Sequence, residues 1–215
     1  MLEFEPSEVG VRRSVILWLG VLLPAVLGAQ VSRRRGGYQQ QPQYWVGLSY
    51  GYMDGATFFD NKSGDTWRLG YSSQIRASLE KAIQGGASLG VSAGFGSAPV
   101  AVASCTACNT SVDVTQYMAY LHGGRGLGFH GIYNLEAGAT EFSNLRDKDT
   151  DFTLGVPAQY DFSFGLGGGL GYGFSPTTEG YVGEMFDLVL HDQGNTVSSS
   201  PPRFFTFRMG FKVGF

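Results

Sequence analysis

Charge is scarce in this sequence. Lysine, arginine, aspartate and glutamate make up 15% of the 215 residues, against about 25% in an ordinary globular domain. A net charge of −3 gives no electrostatic footprint for nucleic acid. Only two cysteines are present, Cys105 and Cys108, in one C-x-x-C. A lone pair is poor material for zinc; in an exported chain it reads as a small disulfide closing a loop. No apolar run reaches the roughly 20 residues a membrane-spanning helix needs. Helical periodicity is also missing, and Ala77–Gln84 is the one short helical candidate. No cofactor or metal motif is evident. What the chain does have is glycine, 33 residues of it, and 14% aromatics.

The longest apolar run lies near the start. Arg12 and Arg13 precede Val15–Leu23, followed by Pro24 and the small residues Gly28 and Ala29. A basic start, a short apolar stretch and a small-residue end make a secretory signal peptide. This predicts a signal peptide over 1–29, with cleavage after Ala29. The acidic residues 1–11 fit no signal, which points to a translation start nearer Arg12, at Val9 or Val11. Residues 30–42, rich in Gln, Gly and Arg, predict a disordered lead-in. That leaves 43–215 as the folded domain.

Within 43–215 the signal is period two. In 203–215, Phe205, Phe207, Met209, Phe211, Val213 and Phe215 alternate with Thr206, Arg208, Gly210, Lys212 and Gly214. In 162–174, Phe162, Phe164, Leu166, Leu170, Tyr172 and Phe174 face one way, and Gly165, Gly167, Gly169, Gly171 and Gly173 the other. The same alternation runs through 44–53, 66–76 and 87–96, and more weakly through 112–123, 129–142 and 181–191. These are strands with one apolar face. Their connectors alternate between long (54–65, 97–111, 142–160, 192–202) and short (81–85, 124–127, 175–178). The pattern predicts an all-β fold, an eight-stranded antiparallel up-and-down transmembrane β-barrel. A soluble barrel would have to wear its aromatics outward and bury Arg68, Arg76, Glu136, Arg208 and Lys212. In a membrane barrel those five residues line the lumen as a polar network, and the glycine face of 162–174 leaves more space than usual.

The chain resembles the small eight-stranded outer-membrane barrels of the OmpX, Ail and OmpA-transmembrane-domain kind. The resemblance covers the signal peptide and residues 43–215. Its most specific element is the C-terminal assembly signal, matched by Arg208, Gly210, Val213 and Phe215. It implies a monomer in the outer membrane of a Gram-negative bacterium, bathed in lipid and lipopolysaccharide. The implied biogenesis partners are the secretion translocon and the barrel-assembly machinery.

Enzymatic residues are the weaker prospect. His122 and His130 lack the His-x-Ser pairing of barrel deacylases. His191 and Asp192, with Ser198–Ser200, read as polar residues of a surface loop. Asp147, Asp149 and Asp151 alternate as calcium ligands can, but without the turn glycine or distal glutamate of a calcium loop. The expectation is therefore a non-enzymatic protein without cofactors, structural or binding an external ligand through its loops. A narrow solute channel and a lipid-modifying enzyme are the alternatives.

Overall fold

The period-two alternation becomes strand along almost the whole of residues 44–214 that the structure, a computed structural model, describes. Described are residues 42–150, 152–153, 158–191 and 201–215, without the side chains of Gln84, residues 105–108 and Phe152. The expected signal peptide and all but the last residue of the lead-in lie outside the described residues. So do Asp151, Asp192, Ser198–Ser200 and the side chains of Cys105 and Cys108.

Eight long strands form the wall: β1 (Tyr44–Met53), β4 (Ser72–Ile83), β5 (Ala87–Val102), β6 (Cys105–Gly123), β7 (Gly128–Asp147), β9 (Gln159–Ser175), β10 (Thr178–Leu190) and β11 (Arg203–Gly214). Each pairs antiparallel with its neighbours in sequence, and β1 pairs with both β4 and β11, which closes the barrel. The closing register runs from Trp45 opposite Gly214 to Met53 opposite Thr206. Closure leaves the eight-stranded wall without a free edge, so its amides pair along continuous ladders interrupted only by local bulges, as a hydrocarbon surrounding demands. Three short strands lie beyond the wall: β2 (Thr57–Asp60) and β3 (Asp65–Leu69), a hairpin continuing β1 and β4, and β8 (Phe152–Thr153) beside β7.

The connections at one end are tight. Gln84–Gly86 turns with Gly85 and Gly86 at φ 84° and 78°, and residues 124–127 turn between Gly124 (φ 93°) and Gly128 (φ 70°). These left-handed positions suit glycine, which has no Cβ to clash. The opposite end carries the long excursions, and is called the outer end below.

The outside of the wall is apolar and exposed. Leu48, Ile75, Leu89, Val91, Leu135, Leu166 and Met209 all face away from the interior. Aromatic residues collect at the two rims. Tyr52 stacks on Tyr71 at 5.8 Å near the outer end; Tyr44 stacks on Phe215 at 6.1 Å at the other, where Phe129, Tyr172 and Phe174 also cluster. Such a belt is favourable against lipid and would be an aggregation surface in water.

Beyond the outer rim the chemistry inverts while the alternation of facing continues. Along β5 the inward residues change from Ser88 and Ser92 to Ala98 and Val100, as the outward ones change from Leu89, Val91 and Phe95 to Ser97 and Pro99. Inward Val112, Val114, Phe142, Leu145, Val189 and Phe204 join Met53, Phe58 and Trp67 in one apolar core. Above the lipid belt the protein is organised as a soluble protein is.

Several expected boundaries move for this reason. Residues 97–111 are not a loop: β5 and β6 run on to a two-residue turn at Ala103–Ser104. Strand β7 likewise reaches Asp147, and 54–65 holds β2 and the start of β3. Ala77–Gln84 is strand β4 up to Ile83, not helix, because pairing with β1 and β5 on both sides overrides local helix propensity. Segment 66–76 is not one strand. Inward Trp67 and Leu69 give way to outward Tyr71 and inward Ser72, so the break at Gly70–Tyr71 reverses the facing of alternate residues.

Candidate functional site

The interior is stacked in three tiers, each built from side chains that the wall strands turn inward. The middle tier centres on Glu136 of β7. Arg76 Nη1 donates to its Oε2 at 2.9 Å and Arg208 Nη1 to its Oε1 at 2.7 Å. Arg208 Nη2 also reaches Asp187 Oδ2 at 3.4 Å. The second Arg76 nitrogen donates to Gln116 Oε1 at 2.5 Å and Gln74 Oε1 at 3.2 Å, and its first also meets Ser92 Oγ at 3.1 Å. Six strands thus tie to one another across the lumen, all through buried groups. Removing charges from water costs several kcal/mol each, so such a set persists only when paired and hydrogen-bonded, as here.

The tier at the tight-turn end centres on Glu80 of β4. It accepts from Lys212 Nζ (2.5 Å), Tyr120 Oη (2.8 Å), Ser88 Oγ (2.5 Å) and Arg125 Nη2. The Arg125 guanidinium lies 4.4 Å from the centre of the Trp45 ring, a cation–π contact covering this mouth. Beside it, His130 Nε2 meets Glu179 Oε2 at 3.2 Å and His122 Nδ1 meets Asn134 Oδ1 at 2.7 Å.

The outer tier is the apolar core, with one charged cluster embedded in it. His191 follows the last residue of β10, and its imidazole is enclosed. Nδ1 lies 2.6 Å from Asp161 Oδ2 and Nε2 lies 3.1 Å from Asp60 Oδ1, while Gln159 Nε2 donates to Asp60 at 2.8 Å. Phe58 and Phe142 set their rings edge-on to the imidazole, at 4.6 and 5.8 Å. Burial by itself would lower the His191 pKa, but the hydrogen bonds to Asp161 and Asp60 outweigh it and raise the value to about 9. Burial works against ionised Asp60 too, yet hydrogen bonds from His191, Ser63 and Gln159 hold its carboxyl well below the usual range. This is an ionised clamp joining the β2–β3 hairpin to β9 and β10.

The residues singled out in the sequence are distributed over these tiers. Arg76, Glu136 and Arg208 meet in the middle; Lys212 joins Glu80 one tier away. Arg68 is not in the lumen. It points outward from β3, because the break at Gly70–Tyr71 puts Trp67 and Leu69 inside instead. His191 is no surface-loop residue, since the core closes over it. Arg208 is at once a lumen ion pair and the polar position of the C-terminal pattern. Gly210 lies under the Tyr181 ring, Val213 faces outward, and the Phe215 amide donates to the Tyr44 carbonyl at 2.9 Å. Asp147 accepts from the Asp149 and Thr150 amides as a turn cap.

Glu80, Glu179, Asp60 and Asp161 escaped the sequence reading. Glu80 fell in the segment read as a helical candidate, and Glu179 between the turn at 175–178 and the strand at 181–191, so the facing of neither was assigned. The glycine face of β9 also differs from expectation. Its space is taken by neighbours: a Cβ on Gly165 would strike Asp187, one on Gly167 Met185, and one on Gly171 His130. The glycines make room for bulky inward residues on the flanking strands and leave no extra space.

No protein-family model and no curated protein matches the sequence. Solved structures do resemble the fold. Neisserial surface protein A aligns with a TM-score of 0.50 at 12% identity, over 82% of this chain and 100% of that one. OprG, an outer-membrane protein of Pseudomonas aeruginosa, aligns with a TM-score of 0.51 at 10% identity, over 81% and 97%. At such identities the shared feature is the path of the backbone, and that path is the small eight-stranded transmembrane barrel of the outer-membrane type.

Proposed function

We propose that this chain resides in the outer membrane and acts there as a non-enzymatic structural and surface-interaction protein, through the rigid hairpins of its outer end. One observation carries the reading: the lumen is filled while the wall continues past the lipid belt. Ion pairs cross it at two tiers, and the apolar core of Phe58, Trp67, Phe142 and Phe204 fills it at the third. An eight-stranded barrel leaves an interior that side chains just fill, so transport has little room. The core instead stiffens the outer hairpins, and a preorganised surface loses less freedom on binding a partner. The three described histidines are paired with Asn134, Glu179 and the Asp60–Asp161 couple. This favours architecture over nucleophilic chemistry.

The same reading includes the biogenesis partners. Arg208, Gly210, Val213 and Phe215 supply the pattern for the barrel-assembly machinery, after passage through the secretion translocon, with lipopolysaccharide around the mature belt. The deciding experiment is conductance of the purified barrel in planar bilayers, paired with mass spectrometry of lipid A from cells with and without the protein. A flat trace and unchanged lipid are expected. Discrete ion steps would move the function to a channel, and altered acyl chains would move it to a lipid-modifying enzyme.

A further inference from the structure

One acidic side chain stands on the lipid-facing side of the wall. Glu184 lies in β10 between Gly183 and Met185, and Met185 is buried in the lumen. Its directly paired neighbours are Phe207, 42% exposed, and Gly168. Facing alternates along a strand and is shared across a pair, so the Glu184 carboxyl points outward. The small interior cavity that Glu184 and Gly168 both border reaches the backbone of the wall there, which is all that Gly168 offers.

The register gives its depth. A row of directly paired residues leaves β4 at Ile83, passes Gly123, Gly168 and Glu184, and returns to β4 at Ser73, ten residues nearer the outer end. Glu184 is five strand steps along this circuit of eight, so it lies near the middle of the lipid belt. Lys81 pairs with Tyr44 at the tight-turn rim, and Glu141 with Tyr160 at the outer one. Between those rims Glu184 is the one outward-facing Asp, Glu, Lys or Arg among the described residues. Among the same residues it has no hydrogen-bond or ion-pair partner, and its electrostatic neighbour Asp54 is another carboxylate. Hydrocarbon solvates no carboxyl, so a group at this depth calls for a partner from within the membrane.

The complementary group is on the same face. Tyr50 of β1 is 48% exposed, and its hydroxyl also has no partner among the described residues. The row through Glu184 reaches β1 at Tyr52. Those two strand steps climb about 6 Å, and the two residues back from Tyr52 to Tyr50 descend about 5 Å. Glu184 and Tyr50 therefore stand at one height, with β11 between them. A twofold axis along the membrane normal in front of β11 sets β10 of one copy against β1 of another, and the contact is made twice. A groove of about 460 Å³ lined by Leu48, Tyr50, Ile75, Met209 and Phe211 opens on this face, and the same axis brings the outward Val182 of the facing copy towards it.

We propose that this face binds a second copy of the chain, in a twofold dimer where the Tyr50 hydroxyl of each copy donates to the Glu184 carboxyl of the other. The dimer departs from the monomer that the resemblance implies. It goes beyond the surface-interaction reading and does not rest on it, since it uses the lipid belt and leaves the outer hairpins free.

The test uses the whole mature barrel, by sedimentation equilibrium in a density-matched detergent. A concentration-dependent dimer is expected. Glu184→Leu and Tyr50→Phe should each weaken it roughly tenfold, as two hydrogen bonds of the modest strength found in membranes do. Glu184→Gln, which keeps an acceptor, should dimerise nearly as the unmodified chain does. Heat-modifiable mobility shows that each variant is folded. Chains carrying Glu184→Cys, mixed with chains carrying Tyr50→Cys, keep one native contact per dimer and should be trapped by oxidation. Either variant alone, or the unmodified chain with Cys105 and Cys108, should not. A strictly monomeric unmodified chain, or a Glu184→Leu chain that dimerises as tightly, overturns the proposal. So does a dimer that the mixture fails to trap.

Discussion

His191 Nε2 lies 3.1 Å from Asp60 Oδ1, a pairing of side chains 131 positions apart in the chain. It fastens the first outer hairpin to the end of β10, and its two partners titrate at opposite ends of the pH scale. The His191 pKa is raised from 6.5 to about 9, so its contribution is complete below pH 6.5 and disappears as pH climbs through about 9. Asp60 is depressed below 3.8, so its contribution is present above pH 3.8 and disappears as pH falls towards its lowered value. Urea unfolding in lipid vesicles should show the unmodified barrel ahead of His191→Gln at pH 6, with the gap closing by pH 10. A gap of constant size across that range would mean the clamp is held by packing and not by charge.

Glu136 receives both central arginines. Glu136→Gln keeps the volume but leaves Arg76 without an anionic partner and Arg208 with Asp187 alone. Breaking a buried pair from one side costs about 3–5 kcal/mol. The readout is the urea midpoint of folding into vesicles. A loss under about 1 kcal/mol would show that the lumen is wet enough to screen the arginines.

Gly169 sits where β9 presses against β10, and a Cβ there would run into the Val182 carbonyl. For Gly171→Ala the nearest atoms are those of the His130 ring, a side chain that can shift more readily than backbone. Gly169→Ala is therefore expected to be the costlier of the two, within the roughly 1–3 kcal/mol of an overpacked interior. Heat-modifiable mobility on gels compares them directly; the reverse order would contradict the packing described.

Leu48 is 60% exposed in the middle of β1, while Arg68 is exposed on β3 beyond the outer rim. Leu48→Arg should cost about 2–4 kcal/mol if it lies near the bilayer midplane. Arg68→Ala should fall within about 0.5 kcal/mol of the unmodified protein, as surface changes do. Were Arg68 a lumen residue after all, its removal would destabilise the barrel as strongly as removal of Arg76. Folding free energies in vesicles measure all three.

Phe215 closes the barrel seam through its amide and stacks on Tyr44. Phe215→Ala should leave refolding in detergent nearly intact but lower the amount of folded barrel in cell membranes. Equal membrane yields would remove the assembly role from this residue.

Alternation alone was enough to specify the eight strands of the wall and, within the belt, which of their residues meet lipid, because each strand there has one apolar face and hydrocarbon selects that face locally. The same logic made Arg76, Glu136, Arg208 and Lys212 legible as interior groups. It failed at Trp67, Leu69 and Arg68, because a strand break reverses facing without changing the residue pattern on either side. It failed again above the rim, where Val100, Val112 and Phe142 pack inward. There water lies outside, and the meaning of an apolar face inverts. The partners of each charge were beyond the sequence as well. Which carboxylate answers Lys212, and that Asp60 and Asp161 converge on His191, depends on barrel closure and register, which bring distant strands within hydrogen-bond reach across the lumen. Within the lipid belt the sequence determined the solvent of each face; closure of the tertiary structure decided the pairs, because only a closed barrel makes opposite walls neighbours.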